Sequence, residues 1–142
     1  MKRIRSEKGA ALIEAAITVP IILLISVGIF EFGRAYQTQQ VLVNAAREGA
    51  RLAVIEGSTD AQVRARVNDY LSLAGLKTLG DDKIPINRTT AVTGTGTTGS
   101  SVEVLYPFEF MVLNPVVKLI APTDTKTGAP ITMKAATVMR NE

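Results

Sequence analysis

The chain contains no cysteine, no histidine and no tryptophan. Without cysteine there is no disulfide framework, no thiol nucleophile and no thiolate site for zinc or iron–sulfur. Without histidine the His-based catalytic triads and the commonest metal ligand are excluded. Carboxylate chemistry is left open by these absences. Aromatics are few, 5% of 142 residues, while 46% of the chain is hydrophobic and 20% charged. That length holds one modest domain plus an extension.

Charge of one sign is missing from most of the chain. The net charge of +3 would suit a polyanion partner if it were spread over a surface. It is not. Residues 1–9 hold Lys2, Arg3, Arg5 and Lys8 against Glu7, and the remainder balances bases with acids. The body therefore lacks the electrostatic footprint of a nucleic-acid binder.

After the basic start comes a long apolar run, Ala10–Phe30, whose single charge is Glu14. About 20 apolar residues cross a bilayer as a helix. The basic flank predicts a cytoplasmic N-terminus and a single-pass topology, with a span over about 10–31 and the C-terminal part outside. A cleaved signal peptide is the competing reading, but its apolar core runs to about 7–15 residues. Ser26-Val27-Gly28 is the nearest approach to a cleavage site, and Ile29-Phe30-Glu31 comes directly after it. A retained helix fits better. No proline interrupts Glu31–Glu56, and Val41, Ala45, Gly49, Leu52 and Ala53 recur at helical spacing. The pattern predicts one helix over 10–56, about 70 Å long, broken by Gly57-Ser58-Thr59-Asp60. Pro20 lies in its interior, where membrane helices tolerate proline. Ala45, Gly49 and Ala53 mark a helix-packing stripe whose small side chains admit close approach. Two partners fit that stripe, the chain's own C-terminal domain and other copies of the chain.

The remainder, 57–142, reads as α+β. Thr59-x-x-Gln62 has the form of a capping box. Val63, Val67, Tyr70, Leu71 and Ala74 share one helical face, and Gly75 suits the C-terminal cap. Arg64, Arg66 and Asp69 lie mostly off that face and read as solvated. Strands are expected over 83–91, over 102–112, where Val102, Val104, Tyr106, Phe108, Phe110 and Val112 alternate with Glu103, Leu105, Pro107, Glu109 and Met111, and over 131–139. Pro107 points to an edge or a bulge. Thr93–Ser101 has a turn composition and Asn114–Lys126 is interrupted by proline. Gly94, Gly96 and Gly99 do not make a nucleotide loop, because no lysine comes after them and no helix begins there. The fold class expected is α+β: a long N-terminal helix, its first half in the membrane, then an amphipathic helix and a small antiparallel sheet.

The join Lys8-Gly9-Ala10-Ala11-Leu12-Ile13-Glu14 carries the chemistry. A carboxylate inside an apolar span is costly, about 2.5–3.5 kcal/mol at mid-membrane and less near its edge. Such groups are normally paired. Cleavage after Gly9 would give Ala10 a free ammonium, one helical turn from Glu14, and the carboxylate of one subunit could then meet the amine of the next. A lone Glu reaching for the cytoplasmic face is the bland alternative. The basic leader, the Gly, the apolar helix and Glu five residues past the cut resemble the type IV prepilin pattern. Phe30-Glu31-Phe32-Gly33-Arg34-Ala35-Tyr36, Asn44-Ala45-Ala46-Arg47-Glu48-Gly49-Ala50-Arg51 and the C-terminal Ala135–Glu142 resemble TadE-like proteins of the tight-adherence (Tad/Flp) pilus. The resemblance implies a bacterial inner-membrane minor pilin or pseudopilin, cut by a prepilin peptidase between Gly9 and Ala10, with Glu14 as the subunit-docking residue. It implies partnership with other pilin subunits, the Tad platform proteins, an ATPase and a secretin, and a place within a cell-surface pilus. The domain limits expected are a leader over 1–9, the helix over 10–56 and an outer domain over 57–142. Major pilins of the system usually carry an aromatic after the Glu, where this chain has Ala15, and lack so large an outer domain.

Two further readings stand beside this one. A single-pass anchor that never polymerises would serve as a scaffold or binding protein of the assembly machinery. An exported enzyme would need an acid/base pair from Asp81, Asp82, Glu103, Glu109 and Asp124, but these are scattered and better read as solvated carboxylates. No catalytic residue, metal ligand or cofactor is expected.

Overall fold

The computed structural model of the chain describes residues 3–91, 98–112, 114–115 and 129–141. The expected loop glycines Gly94 and Gly96, most of Asn114–Lys126 and Asp124 lie outside them. The described elements are helix α1 (Arg3–Ala53), helix α2 (Asp60–Leu73), a 3-10 turn at Asp81–Lys83, and strands β1 (Ile86–Ala91), β2 (Thr98–Phe108) and β3 (Ile131–Arg140). This is the α+β arrangement expected from the sequence. The described residues fall into two compact units. One draws on Met1–Arg34 and Phe110–Ala129, the other on Ala35–Glu109 and Pro130–Glu142.

Helix α1 has 51 residues, about 75 Å of helix. It begins inside the basic N-terminal stretch rather than at Ala10, since nothing at Gly9 interrupts the backbone pattern, and it passes through Pro20 unbroken. It stops at Ala53, three residues before the expected end. Val54 still donates to the Ala50 carbonyl, but Ile55 turns to Leu52 and Ser58 to Ile55, and Gly57 takes a positive φ of 79°. Among the described residues this is one helix long and apolar enough to cross a membrane.

The second unit has an apolar core of its own. Along α1 its buried apolar residues are Leu42, Ala45, Ala46, Ala50 and Ala53, with Gly49 between them. Val41 and Leu52 are half-buried, so the inward face is turned slightly from the predicted stripe. Helix α2 supplies Val63, Val67 and Leu71, whereas Tyr70 is half-buried and Ala74 exposed. Its N-terminus is closed by the predicted capping box: the Thr59 hydroxyl accepts from the Gln62 amide at 3.3 Å and the Gln62 side chain accepts from the Thr59 amide at 2.9 Å. Its C-terminus is a Schellman turn. Leu76 donates to Leu71 and Gly75 to Ser72, with Gly75 at φ 76°, a conformation that glycine takes without steric cost.

The sheet is antiparallel in the order β1-β2-β3. Strand β2 runs four residues earlier than the alternation suggested at both ends. Thr98–Ser101, composed like a turn, pair with both neighbours (Ala91↔Thr98 and Gly99↔Arg140), so sheet context overrides composition. At the other end Phe110 and Val112 leave the strand and join the other unit. The inward residues are nevertheless those predicted, Val102, Val104, Tyr106 and Phe108. Strand β1 starts at Ile86, because Asp81–Lys83 form the 3-10 turn. Pro107 lies in the central strand, yet it costs no ladder bond. Glu103 donates towards β1, to the Pro85 carbonyl, and alternation turns the Pro107 nitrogen to the same side. Pairing with β1 has ended at Val102, so that stretch is an edge locally.

Candidate functional site

The predicted cleavage and docking residues lie on the first turns of α1 past the leader. Ala10 and Glu14 are exposed, Gly9 is half-exposed, and nothing comes within 4 Å of a Cβ built on Gly9. Ala10 and Glu14 stand at i and i+4, which places them on one helix face. Beyond them the helix offers large apolar side chains with no cover. Leu12, Ile13, Ile17, Ile21, Leu23 and Ile29 are all more than half exposed. The Ser26 hydroxyl donates back to the Ile22 carbonyl at 2.8 Å and so hides its polarity on the helix itself.

The far end of this run holds a residue that sequence reasoning missed. Glu31 has no exposed surface. Its Oε1 accepts the backbone N–H of Val112 at 2.6 Å, and its Oε2 accepts from the Arg34 guanidinium at 3.2 Å. Beside it the rings of Phe32 and Phe110 meet edge to face, centroids 6.3 Å apart. The spacing of Glu31 and Arg34 is a readable i,i+3 pair. The Val112 amide, 81 residues away in sequence, had no sequence signal.

The predicted helix-packing residues face the chain's own core. Ala45 and Ala53 are buried. A Cβ on Gly49 would meet Val67 Cγ2 at 2.6 Å and Val102 Cγ1 at 3.2 Å. Of the two partners the sequence allowed, the one seen is the domain formed by α2 and the sheet. Arg88 on β1 was also missed. It donates to the Ala53 carbonyl at 2.8 Å, the Ser58 carbonyl at 2.9 Å and Asp60 Oδ1 at 2.8 Å. One guanidinium thus satisfies a carbonyl left open by the end of α1 and holds the link to α2. Asn141, directly after β3, accepts from the Ser100 hydroxyl at 2.8 Å and donates to the Arg88 carbonyl at 3.2 Å. That ties the chain end to the same joint.

The scattered acids have separate partners. Asp81 pairs with Arg64, Asp82 with Lys83 and Glu103 with Lys134. Arg66 pairs with Glu48. Among the described residues no group of three or more acids could hold a metal ion.

Compared with known families, residues 9–51 match the model described as TadE-like protein. Neither a curated protein nor a solved structure matches the chain. The matched segment opens at Gly9 and runs almost to the end of α1. That segment lies on the one described helix long and apolar enough to cross a membrane.

Proposed function

We propose, from a chain that carries a TadE-like segment over residues 9–51, that it is a minor pilin or pseudopilin of the Tad pilus and works by assembly rather than catalysis. The observation that carries this reading is that match, lying on a helix whose first half is bare apolar surface. The helix spans the inner membrane with the leader in the cytoplasm and the second unit outside. Prepilin peptidase cuts between Gly9 and Ala10.

The helix geometry gives that cut two consequences. Removing the leader takes away the carbonyls of residues 6–9, which accept the amides of residues 10–13 in a continuous helix. It also creates an ammonium at Ala10. Both make the new helix end electropositive, where a carboxylate is favoured. Glu14, exposed one turn away, is then suited to the amine of a neighbouring subunit, and the pair removes a charge from lipid. The apolar side chains of the span exchange lipid for the helices of other subunits as the chain leaves the bilayer. Platform proteins of the inner membrane drive that transfer.

The test is the N-terminal sequence of protein purified from cells with an active peptidase, beside Gly9→Ala and Glu14→Ala variants. The expected mature chain begins at Ala10. Gly9→Ala stays full length, and Glu14→Ala is cut but absent from sheared filaments. A native chain that keeps its leader would instead be a fixed single-pass anchor, a scaffold of the assembly machinery.

A further inference from the structure

The uncharged run of α1 ends at Phe30, and the next residue is a carboxylate. An exposed Glu31 would set the limit of contact with lipid. Here that carboxylate is withdrawn from the surface, held by the Val112 amide and the Arg34 guanidinium. A charge so covered does not repel lipid from its neighbours. The same bond fixes the backbone at Val112 beside the helix, and the Phe32–Phe110 contact secures the residue at the start of the segment. Two large apolar side chains held by these contacts, or next to them, stay open in this unit: Phe32 at 67% exposure and Met111 at 63%.

We infer that Phe32 and Met111 add a second membrane contact to the span that ends at Phe30, with Phe110–Val112 pinned on Glu31 and resting in the lipid interface where α1 leaves the bilayer. This rests on the reading of α1 as membrane-spanning. The occupant is lipid because Glu31, which anchors the segment, adjoins the last residue of the span, and because aromatics concentrate at the membrane–water boundary. Its effect is to seat the outer end of the helix at a fixed depth.

The chain has no cysteine, so a single introduced thiol can be labelled alone. Met111→Cys, Leu23→Cys and Leu73→Cys, each in the full chain, are labelled with a nitroxide and placed in vesicles of zwitterionic and anionic phospholipid. Collision rates are read with oxygen, which concentrates in lipid, and with a water-soluble nickel chelate. Leu23 lies in the span, and Leu73 is an exposed site of the second unit. The expected result is oxygen access at Met111→Cys well above that at Leu73→Cys and below that at Leu23→Cys. Adding Glu31→Ala should return Met111→Cys to chelate access. A label at Met111 that behaves like the one at Leu73, with Leu23 in lipid, overturns this inference and leaves the span intact. A label at Met111 shielded from both reagents means that protein, such as a second copy, covers the patch, and also overturns it. A label at Leu23 open to the chelate overturns the inference and the membrane reading together.

Discussion

One helix carries two opposite surfaces. From Leu12 to Ile29, α1 exposes isoleucines and leucines almost all round. From Leu42 to Ala53 it buries leucine, alanine and glycine on one face and shows Asn44, Arg47 and Arg51 on another. The larger side chains are the bare ones, which is the reverse of what water would select. In lipid the reversal disappears, because a bilayer core is as apolar as leucine and gives no incentive to hide it. Small residues in the second half serve a different need. There the helix must approach α2 and the sheet closely, as the Gly49 contacts with Val67 and Val102 show. Hydrophobicity alone does not separate the two halves. Size and one-sidedness do.

A charge in the bare half tests the comparison hardest. Leu23→Asp should oppose insertion by about 2.5–3.5 kcal/mol, the cost of Asp at the centre of a membrane helix. The chain should shift from the membrane pellet to the alkaline-extractable fraction, while the second unit keeps its thermal transition. Equal extraction of variant and parent would show that the first half is not held by lipid. The other half has its own weak point in Arg88. Arg88→Ala removes the charged donor from the Ala53 and Ser58 carbonyls and leaves Ala53 only the longer bond from the Ser100 hydroxyl, at 3.5 Å. Hydrogen bonds to a charged group contribute about 1.5–3 kcal/mol, and the half-exposed link to Asp60 adds little. The melt of the detergent-solubilised chain should fall, with membrane retention unchanged.

The sequence made the local devices legible and the distant ones not. The capping box at Thr59 and Gln62, the Gly75 turn and the inward parity of Val102, Val104, Tyr106 and Phe108 each depend on near neighbours, and each is readable from them. The start of β2 at Thr98 is not. Its threonine and glycine become a strand through pairing with β1 and β3, which composition does not report. Glu31 and Arg88 escape notice for the same reason. Each looks like an ordinary charged residue until a partner from a remote segment arrives, Val112 in one case and Ala53 in the other. Gly9, Ala10 and Glu14 stand out by resemblance and by the oddity of a carboxylate in an apolar run, whereas their present geometry adds only that Ala10 and Glu14 are exposed on one helix face.

The finest probe of the comparison is one substitution made twice. Gly28→Ala and Gly49→Ala exchange the same atoms in the same helix, and each gains about 1 kcal/mol of helix propensity in water. At Gly28 the added methyl meets nothing within 4 Å, so it should leave both membrane retention and the melt unchanged or slightly raised. At Gly49 it would lie 2.6 Å from Val67 Cγ2. Valine in a helix is confined almost to one rotamer, so that methyl cannot swing aside, and Val63 and Val102 close the other directions. Overpacking of this kind costs about 1–3 kcal/mol, which exceeds the propensity gain. Gly49→Ala should therefore lower the thermal transition of the second unit, and Val67→Ala in the same chain should recover part of the loss by making room. Two equal and harmless substitutions would mean that Gly49 does not sit against α2, and the contrast between the halves would then rest on lipid alone.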